Sequence, residues 1–92
     1  MKNTLYLQYK SQYSVNMDNQ INSLRVSIGE QIRFRRKELM ITQPDLADIA
    51  GISINTLYKI ERGQANPTIE VLGKILDVLG LEITVGVKQL NR

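Results

Sequence analysis

Apolar residues in the middle of the chain, between residues 42 and 63, recur at intervals of three and four. One set comprises Leu46, Ala47 and Ala50, and the next comprises Leu57 and Ile60. Both sets follow the 3.6-residue period of an α-helix, in which such positions share one face. Gly51 separates them, and glycine readily adopts the positive φ that ends a helix. The pattern predicts two short helices joined by a tight turn.

Polar residues at the two expected helix starts support this prediction. Thr42 is a suitable N-cap with Asp45 three residues later as its capping-box partner. Pro44 falls in the first turn, where its missing N–H leaves no bond unmade. Ser53 can cap the second helix, which is predicted over residues 54–62. Two helices that cross steeply after such a turn form a helix-turn-helix.

Helical spacing also predicts one helix on each side of this pair. Ser27 and Glu30 have the spacing of a capping box, so we expect a first helix over residues 28–40. Thr68 can cap a fourth helix, whose apolar residues close the core. The sequence therefore predicts a mainly α fold, a bundle of four to five helices, with residues 27–80 as its central domain.

The N-terminal part of the chain shows a different pattern. Residues 4–9 alternate as a short strand would, and the polar residues that follow are typical of a loop. We therefore expect residues 1–26 to form an N-terminal extension, either an arm on the surface or a short strand. An alternative is that Ile21 and Leu24 extend the first helix towards the N-terminus.

Strict alternation of apolar and polar residues begins after residue 80 and predicts a C-terminal strand over residues 81–92. Its apolar face consists of Leu81, Ile83, Val85 and Val87. A lone strand leaves its backbone N–H and C=O groups without partners, so it needs a neighbour. That neighbour is the same strand of a second chain, residues 4–9, or another part of the monomer. The first alternative makes the four apolar residues a dimerisation surface.

Composition excludes several classes of function. The chain has 92 residues with neither Cys nor His, which excludes disulfides, Cys- or His-based zinc sites and His-based acid–base catalysis. A chain of this length forms one small domain without room for a separate enzyme cleft. We expect a non-enzymatic protein without metal or cofactor. No apolar run has the length of a membrane span or a signal peptide, which favours a cytoplasmic location away from membranes.

Three segments, TQPDLADIAGIS, LYKIERG and NPT, resemble the phage repressor/Cro-type helix-turn-helix, also called the xenobiotic-response-element type. The shared positions are Gln43, Leu46, Ala47, Gly51, Leu57, Ile60, Glu61, Gly63 and Pro67. The resemblance covers about residues 27–80. It implies a lambda-repressor-like bundle that binds double-stranded DNA as a homodimer and regulates transcription, as a repressor. The net charge of +3 is mild, but basic residues flank the second helix of the motif.

The resemblance also implies roles for individual residues. The helix over residues 54–62 would enter the major groove of DNA, in which each base pair presents a distinct pattern of donors and acceptors. The candidates for base contacts are Ile54, Asn55, Tyr58 and Lys59. The candidates for phosphate contacts are Gln43, Thr56, Arg62 and Arg33. Gln43 lies in the first turn of its helix, where N–H groups and the helix dipole favour an anion.

Arg36 and Glu61 occupy positions at which the family forms a partly buried salt bridge. A guanidinium and a carboxylate can meet through two parallel hydrogen bonds. We interpret this pair as structural, because it would fix the third helix against the first.

A helical bundle with a terminal strand also resembles HipB-like antitoxins, the DNA-binding partners of HipA-type kinases, whose dimers share such a strand. That resemblance implies a toxin protein as a further partner and autoregulation of an operon. A third interpretation is a protein-interaction adaptor that does not bind DNA. Co-purification with a larger partner, or failure to bind any duplex, would distinguish these alternatives.

Overall fold

A computed structural model describes residues 2–88, and it describes side chains at position 7 and over residues 19–88. The secondary structure of these residues consists of four helices. They are α1 over Lys2–Glu38, α2 over Gln43–Ala50, α3 over Ile54–Glu61 and α4 over Ile69–Leu79. No strand occurs within residues 2–88. The molecule measures 57 × 27 × 19 Å. Its long dimension matches α1, since 37 helical residues span about 55 Å.

The helical body consists of the C-terminal part of α1 together with the three short helices. Helix α1 packs against α3 and α4, and α2 packs against the same two helices. Five side chains at the centre are almost completely buried: Ile32, Leu46, Leu57, Ile75 and Leu79. Every helix contributes to this core, so α2 and α3 are held by tertiary packing even though each has only eight residues.

Three of the four predicted helix caps are confirmed. The hydroxyls of Thr42, Ser53 and Thr68 accept hydrogen bonds from the backbone N–H three residues later, at 3.2, 3.0 and 3.1 Å. Gly51 ends α2 with φ of 72°, in the left-handed region that favours glycine. These local interactions fix the turn between α2 and α3. Helix α3 ends at Glu61, one residue earlier than predicted.

The N-terminal part of the chain differs from the expected strand and loop. Residues 4–9 belong to α1, which begins at Lys2 instead of Ile28, so the strand prediction is wrong and the helical alternative is closer. The predicted cap at Ser27 is also wrong, because its Oγ accepts from Gln31 Nε2 inside the helix. Alternation over six residues does not separate a strand from a helix, and no Gly or Pro precedes Gly29 to interrupt the helix.

The C-terminal segment follows α4 without regular structure. Leu81 lies beside Phe34 and Glu38 of α1, whereas Lys88 lies beside Asn19 and Leu24. The segment therefore runs antiparallel to α1. A single chain does not test pairing with a second one, so the C-terminal strand stays a prediction. Residues 89–92 of that strand, like Met1 of the extension, lie outside the described residues.

Helix α1 is long enough to cross a membrane but too polar, and none of the other described helices qualifies.

Candidate nucleic-acid interface

Helix α3 presents two different faces. Leu57 and Ile60 are buried in the core. The opposite face is exposed to solvent and carries Ile54, Asn55, Tyr58 and Lys59. Ile54 and Tyr58 are 50% and 45% exposed, which is unusual for large apolar and aromatic side chains beside each other. The structure thus brings all four candidates for base contacts onto one accessible face.

The start of α3 is ordered by a pair of hydroxyls. Ser53 Oγ accepts from the backbone N–H of Thr56 and donates to Thr56 Oγ1 at 2.8 Å. The Thr56 oxygen is therefore an acceptor in this pair, and its own hydroxyl proton is available to a ligand. Thr56 is half-buried at the edge of the exposed face.

Arg36 and Glu61 join α1 to the end of α3. Arg36 Nε donates to Glu61 Oε2 at 2.7 Å, and Arg36 Nη2 donates to Glu61 Oε1 at 3.0 Å. Both residues are buried, with 8% and 5% of their surface exposed. Arg36 Nη1 also donates to the carbonyl oxygen of Ile41 at 2.9 Å. The pair has the two parallel hydrogen bonds that a guanidinium and a carboxylate favour.

Gln43 extends this network to α2. Its Nε2 donates to Glu61 Oε1 at 3.0 Å, so one carboxylate links three helices. Gln43 was expected to contact phosphate, and this bond was not anticipated from the sequence. A carboxamide nitrogen carries two protons, so the second N–H of Gln43 remains available at the start of α2.

A polar groove lies between α1 and the end of α3. It is lined by Val26, Glu30, Arg33, Arg36, Lys37, Gln43, Tyr58, Glu61 and Arg62. The guanidinium of Arg62 lies over the Tyr58 ring, 5.2 Å from its centroid. Because Arg36 and Glu61 neutralise each other, Arg33, Lys37 and Arg62 give the groove a positive charge that Glu30 offsets only in part.

Three groove residues were not among the candidate site residues, namely Val26, Glu30 and Lys37, and Lys37 is the cation among them. It follows Arg33 by four positions, the spacing that puts two residues on one helical face. That spacing was the available signal. Arg35 lies between them in sequence but has a different role, since its Nε donates to the carbonyl oxygen of Leu79 at 2.9 Å and so satisfies the end of α4.

The four candidates for dimerisation do not form one uniform surface. Leu81 is half-buried against the core, which anchors the C-terminal segment to the body. Ile83 is about half exposed, whereas Val85 and Val87 are 97% and 96% exposed. Three apolar side chains after the anchor are thus accessible.

Comparison with known proteins identifies the family. The sequence profile of the helix-turn-helix family matches residues 32–85. The chain belongs to this family. The match includes the whole of α2 and α3 with the turn between them, and it agrees with the Cro/C1 type expected from the motif.

Several curated proteins are similar in sequence. An uncharacterized HTH-type transcriptional regulator of Haemophilus influenzae is 33% identical over 64 residues, which cover 70% of this chain and 65% of that protein. The repressor RstR of the cryptic phage CTXphi in Vibrio cholerae is 40% identical over 58 residues, covering 63% and 52%. The immunity repressor of Bacillus phage phi105 is 34% identical over 59 residues, covering 64% and 41%. This chain therefore spans less than two thirds of each of these relatives.

Two solved structures have a similar fold. The restriction-modification controller protein C.AhdI of Aeromonas hydrophila superimposes with a TM-score of 0.62 at 27% identity, covering 65% of this chain and 91% of that one. The clp gene regulator ClgR of Corynebacterium glutamicum gives a TM-score of 0.61 at 29% identity, covering 63% and 62%.

Proposed function

We propose that this protein is a sequence-specific DNA-binding transcription regulator, acting as a repressor, that inserts α3 into the major groove of double-stranded DNA as a homodimer. The observation that carries the proposal is the exposed face of α3, which the buried Leu57 and Ile60 hold away from the core. The names of two relatives, an immunity repressor and a phage transcriptional repressor, agree with it. The proposal places the protein in the cytoplasm and gives it no enzymatic activity.

Base recognition would come from the exposed face of α3. An asparagine side chain can form two hydrogen bonds with adenine at N6 and N7, and a lysine can donate to guanine at O6 and N7. Asn55 and Lys59 are four residues apart on that face and have these chemistries. Ile54 can pack on a thymine methyl group, and Tyr58 can contact a base or the backbone. One well-formed contact is worth roughly 1–3 kcal/mol of discrimination.

Phosphate contacts would orient the protein on the duplex without reading its sequence. Gln43 and Thr56 each retain a free donor near the start of a helix, where an anion is favoured. Arg33 and Arg62 are exposed cations in the groove between α1 and α3. Because Glu61 also binds Gln43, the salt bridge with Arg36 would fix a phosphate donor as well as α3.

Two copies are needed for tight and specific binding. A single module of this kind buries only about 600–1,000 Å² on DNA, which is small for a specific site. A two-fold dimer doubles that area and reads two half-sites about 34 Å apart on a pseudo-palindromic sequence. The exposed C-terminal segment, with Ile83, Val85 and Val87, is the dimerisation surface in this proposal.

Selection of bound sequences from random duplex DNA tests the proposal. We expect enrichment of one pseudo-palindromic sequence with half-sites one helical turn apart. Failure to enrich any sequence at low salt would contradict the proposal and favour a protein-interaction adaptor.

Two classes of variant then separate base contacts from phosphate contacts on the enriched site. Lys59→Ala should weaken binding about tenfold or more on the preferred sequence and change which base is selected there. Arg33→Ala should weaken binding to all sequences about equally. It should also reduce the slope of the logarithm of the binding constant against the logarithm of salt concentration by about one. Lys74→Ala, which removes an exposed lysine of α4, is the matched control and should leave binding unchanged. Identical effects of Lys59→Ala and Arg33→Ala would contradict the assignment.

A second candidate function uses the same exposed C-terminal segment. A segment in which apolar and polar residues alternate suits a HipB-like antitoxin, whose dimer would also hold a toxin protein. Expression with the adjacent genes and co-purification would test it, since a stoichiometric larger partner is expected only for an antitoxin.

A further inference from the structure

Apolar side chains of the C-terminal segment and of the adjoining part of α1 are exposed to solvent. We define the tail surface as Leu24, Phe34, Ile83, Val85 and Val87, all of which are at least half exposed. Leu24 lies in the groove that also contains Lys88, and Phe34 lies in the groove that also contains Leu81. The two ends of the segment therefore lie beside α1, and Ile83 between them lines a groove with Ile69 and Leu76 of α4. Large apolar side chains that are exposed near one another are typical of an interaction site.

We propose that a second copy of this chain covers the tail surface, with the two segments over residues 82–88 pairing as antiparallel strands about a two-fold axis at Val85. This inference rests on the proposed function, from which it takes the need for two copies. It adds the pairing register and the participation of α1.

The order of residues in the segment is complementary to itself. In a two-fold antiparallel pair centred on Val85, Glu82 lies opposite the partner's Lys88, and Lys88 lies opposite the partner's Glu82. The same register puts Ile83 opposite the partner's Val87 and pairs the two copies of Val85. Both charge pairs and all three apolar pairs are of the kinds that stabilise adjacent strands. A two-fold interface requires such self-complementarity.

The neighbouring registers lose the charge pairs. A pair centred on Thr84 leaves Glu82 opposite the partner's Gly86, and a pair centred on Gly86 leaves Lys88 opposite the partner's Thr84. A centre between two residues would put apolar residues opposite polar ones, because strand side chains alternate. The register at Val85 is therefore favoured by charge and by hydrophobic pattern together.

Participation of α1 follows from the small size of the strand pair. Two short strands alone are only marginally stable in water, and they need a hydrophobic surface to pack on. Leu24 and Phe34 are exposed on α1 beside the two ends of the segment, and in this proposal they supply that surface.

Cysteine cross-linking of the full chain tests the register, since the protein has no cysteine of its own. Directly opposite residues of paired strands lie within the Cα–Cα range of a disulfide, whereas diagonal neighbours lie about 7–8 Å apart. Val85→Cys should therefore form a covalent dimer under mild oxidation. Thr84→Cys, the matched control, should not. Cross-linking of Thr84→Cys alone, or of neither variant, would overturn the proposal.

Charge reversal tests the pairing of Glu82 with Lys88. Glu82→Lys puts like charges opposite each other at two places in the dimer. We expect the dissociation constant of the dimer to rise about tenfold. Lys88→Glu should have a similar effect. The double variant Glu82→Lys/Lys88→Glu keeps the net charge and should restore the dimer, as measured by analytical ultracentrifugation. No restoration in the double variant would contradict the register.

The part played by α1 is tested with Phe34→Ala, which should weaken the dimer, against Ile49→Ala as an equally exposed control on α2. An equal effect of the two variants would remove α1 from the interface.

Duplex selection separates this inference from the proposed function. A chain that enriches a DNA sequence but does not cross-link at Val85→Cys refutes the tail surface alone. A chain that cross-links there but binds no DNA refutes the proposed function alone.

Discussion

Arg36 and Glu61 allow the contribution of a buried ion pair to be measured in this small domain. Their two side chains are 9% and 1% exposed and meet through two hydrogen bonds. Removing one member of such a pair leaves the other charge buried without compensation, at a cost of about 3–5 kcal/mol. After Glu61→Ala, Arg36 keeps only the carbonyl oxygen of Ile41 as a partner. After Arg36→Ala, Glu61 still accepts from Gln43, so the loss should lie nearer the lower end.

The double variant gives the decisive comparison. Arg36→Ala/Glu61→Ala leaves no buried charge, so its loss of unfolding free energy should be smaller than the sum of the single losses by about 1–3 kcal/mol. Urea denaturation followed by circular dichroism measures all four proteins. The single variants should remain measurable, because a domain of this size unfolds with a free energy of about 5–14 kcal/mol.

A matched control is available on α4. Lys74 and Glu70 form an ion pair of 3.6 Å, but both side chains are largely exposed. The same cycle at these positions should give a coupling of no more than about 0.5 kcal/mol. Coupling at Arg36 and Glu61 as small as in this control would refute the reasoning that burial makes the first pair matter.

Three further predictions concern stability and use the same denaturation assay. Gly29→Ala should lower the free energy of unfolding by about 1–3 kcal/mol, because a Cβ there would overlap the backbone carbonyl oxygens of Ile60 and Glu61 where α1 crosses the end of α3. An unchanged denaturation midpoint would show that the two helices can move apart without loss of stability. Gly73→Ala should instead raise the free energy of unfolding by about 0.5–1 kcal/mol, since no atom lies within 4 Å of a Cβ at this position and alanine favours the helix. A lower free energy of unfolding would contradict this prediction. Thr42→Ala should lower the free energy of unfolding by about 1 kcal/mol, because it removes the cap of α2. Thr42→Ser keeps a hydroxyl at this position and should retain most of the stability that the cap provides.

Several features of the fold could be predicted because they depend on residues three or four positions apart. The caps at Thr42, Ser53 and Thr68 and the left-handed Gly51 belong to this class. So does the amphipathic pattern of α3, which puts one face in the core and leaves the other exposed to solvent. Spacing within a short segment determines these features, and burial only reinforces them.

The candidate site was predicted only in part. The exposed face of α3 follows from helical spacing, whereas the meeting of Arg36 with Glu61 was inferred from a family resemblance and not from spacing. The bond from Gln43 to Glu61 and the position of Lys37 beside the same groove depend on how α1 and α2 cross α3. The spacing of residues along the chain does not show which distant side chains meet, because their contacts depend on how the helices pack.

The sequence by itself thus determined the helix-turn-helix, its caps and the exposed face of α3, because each depends on neighbouring residues. Only the tertiary structure decided that α1 reaches back to Lys2 and that the C-terminal segment lies along it. From Val26 onward α1 is held by packing against the rest of the body. A helix that is already nucleated gains one hydrogen bond for each residue added, whereas an isolated one must first form a costly nucleus. The body therefore supplies the nucleus from which the helix continues through residues whose own pattern favoured a loop and a short strand.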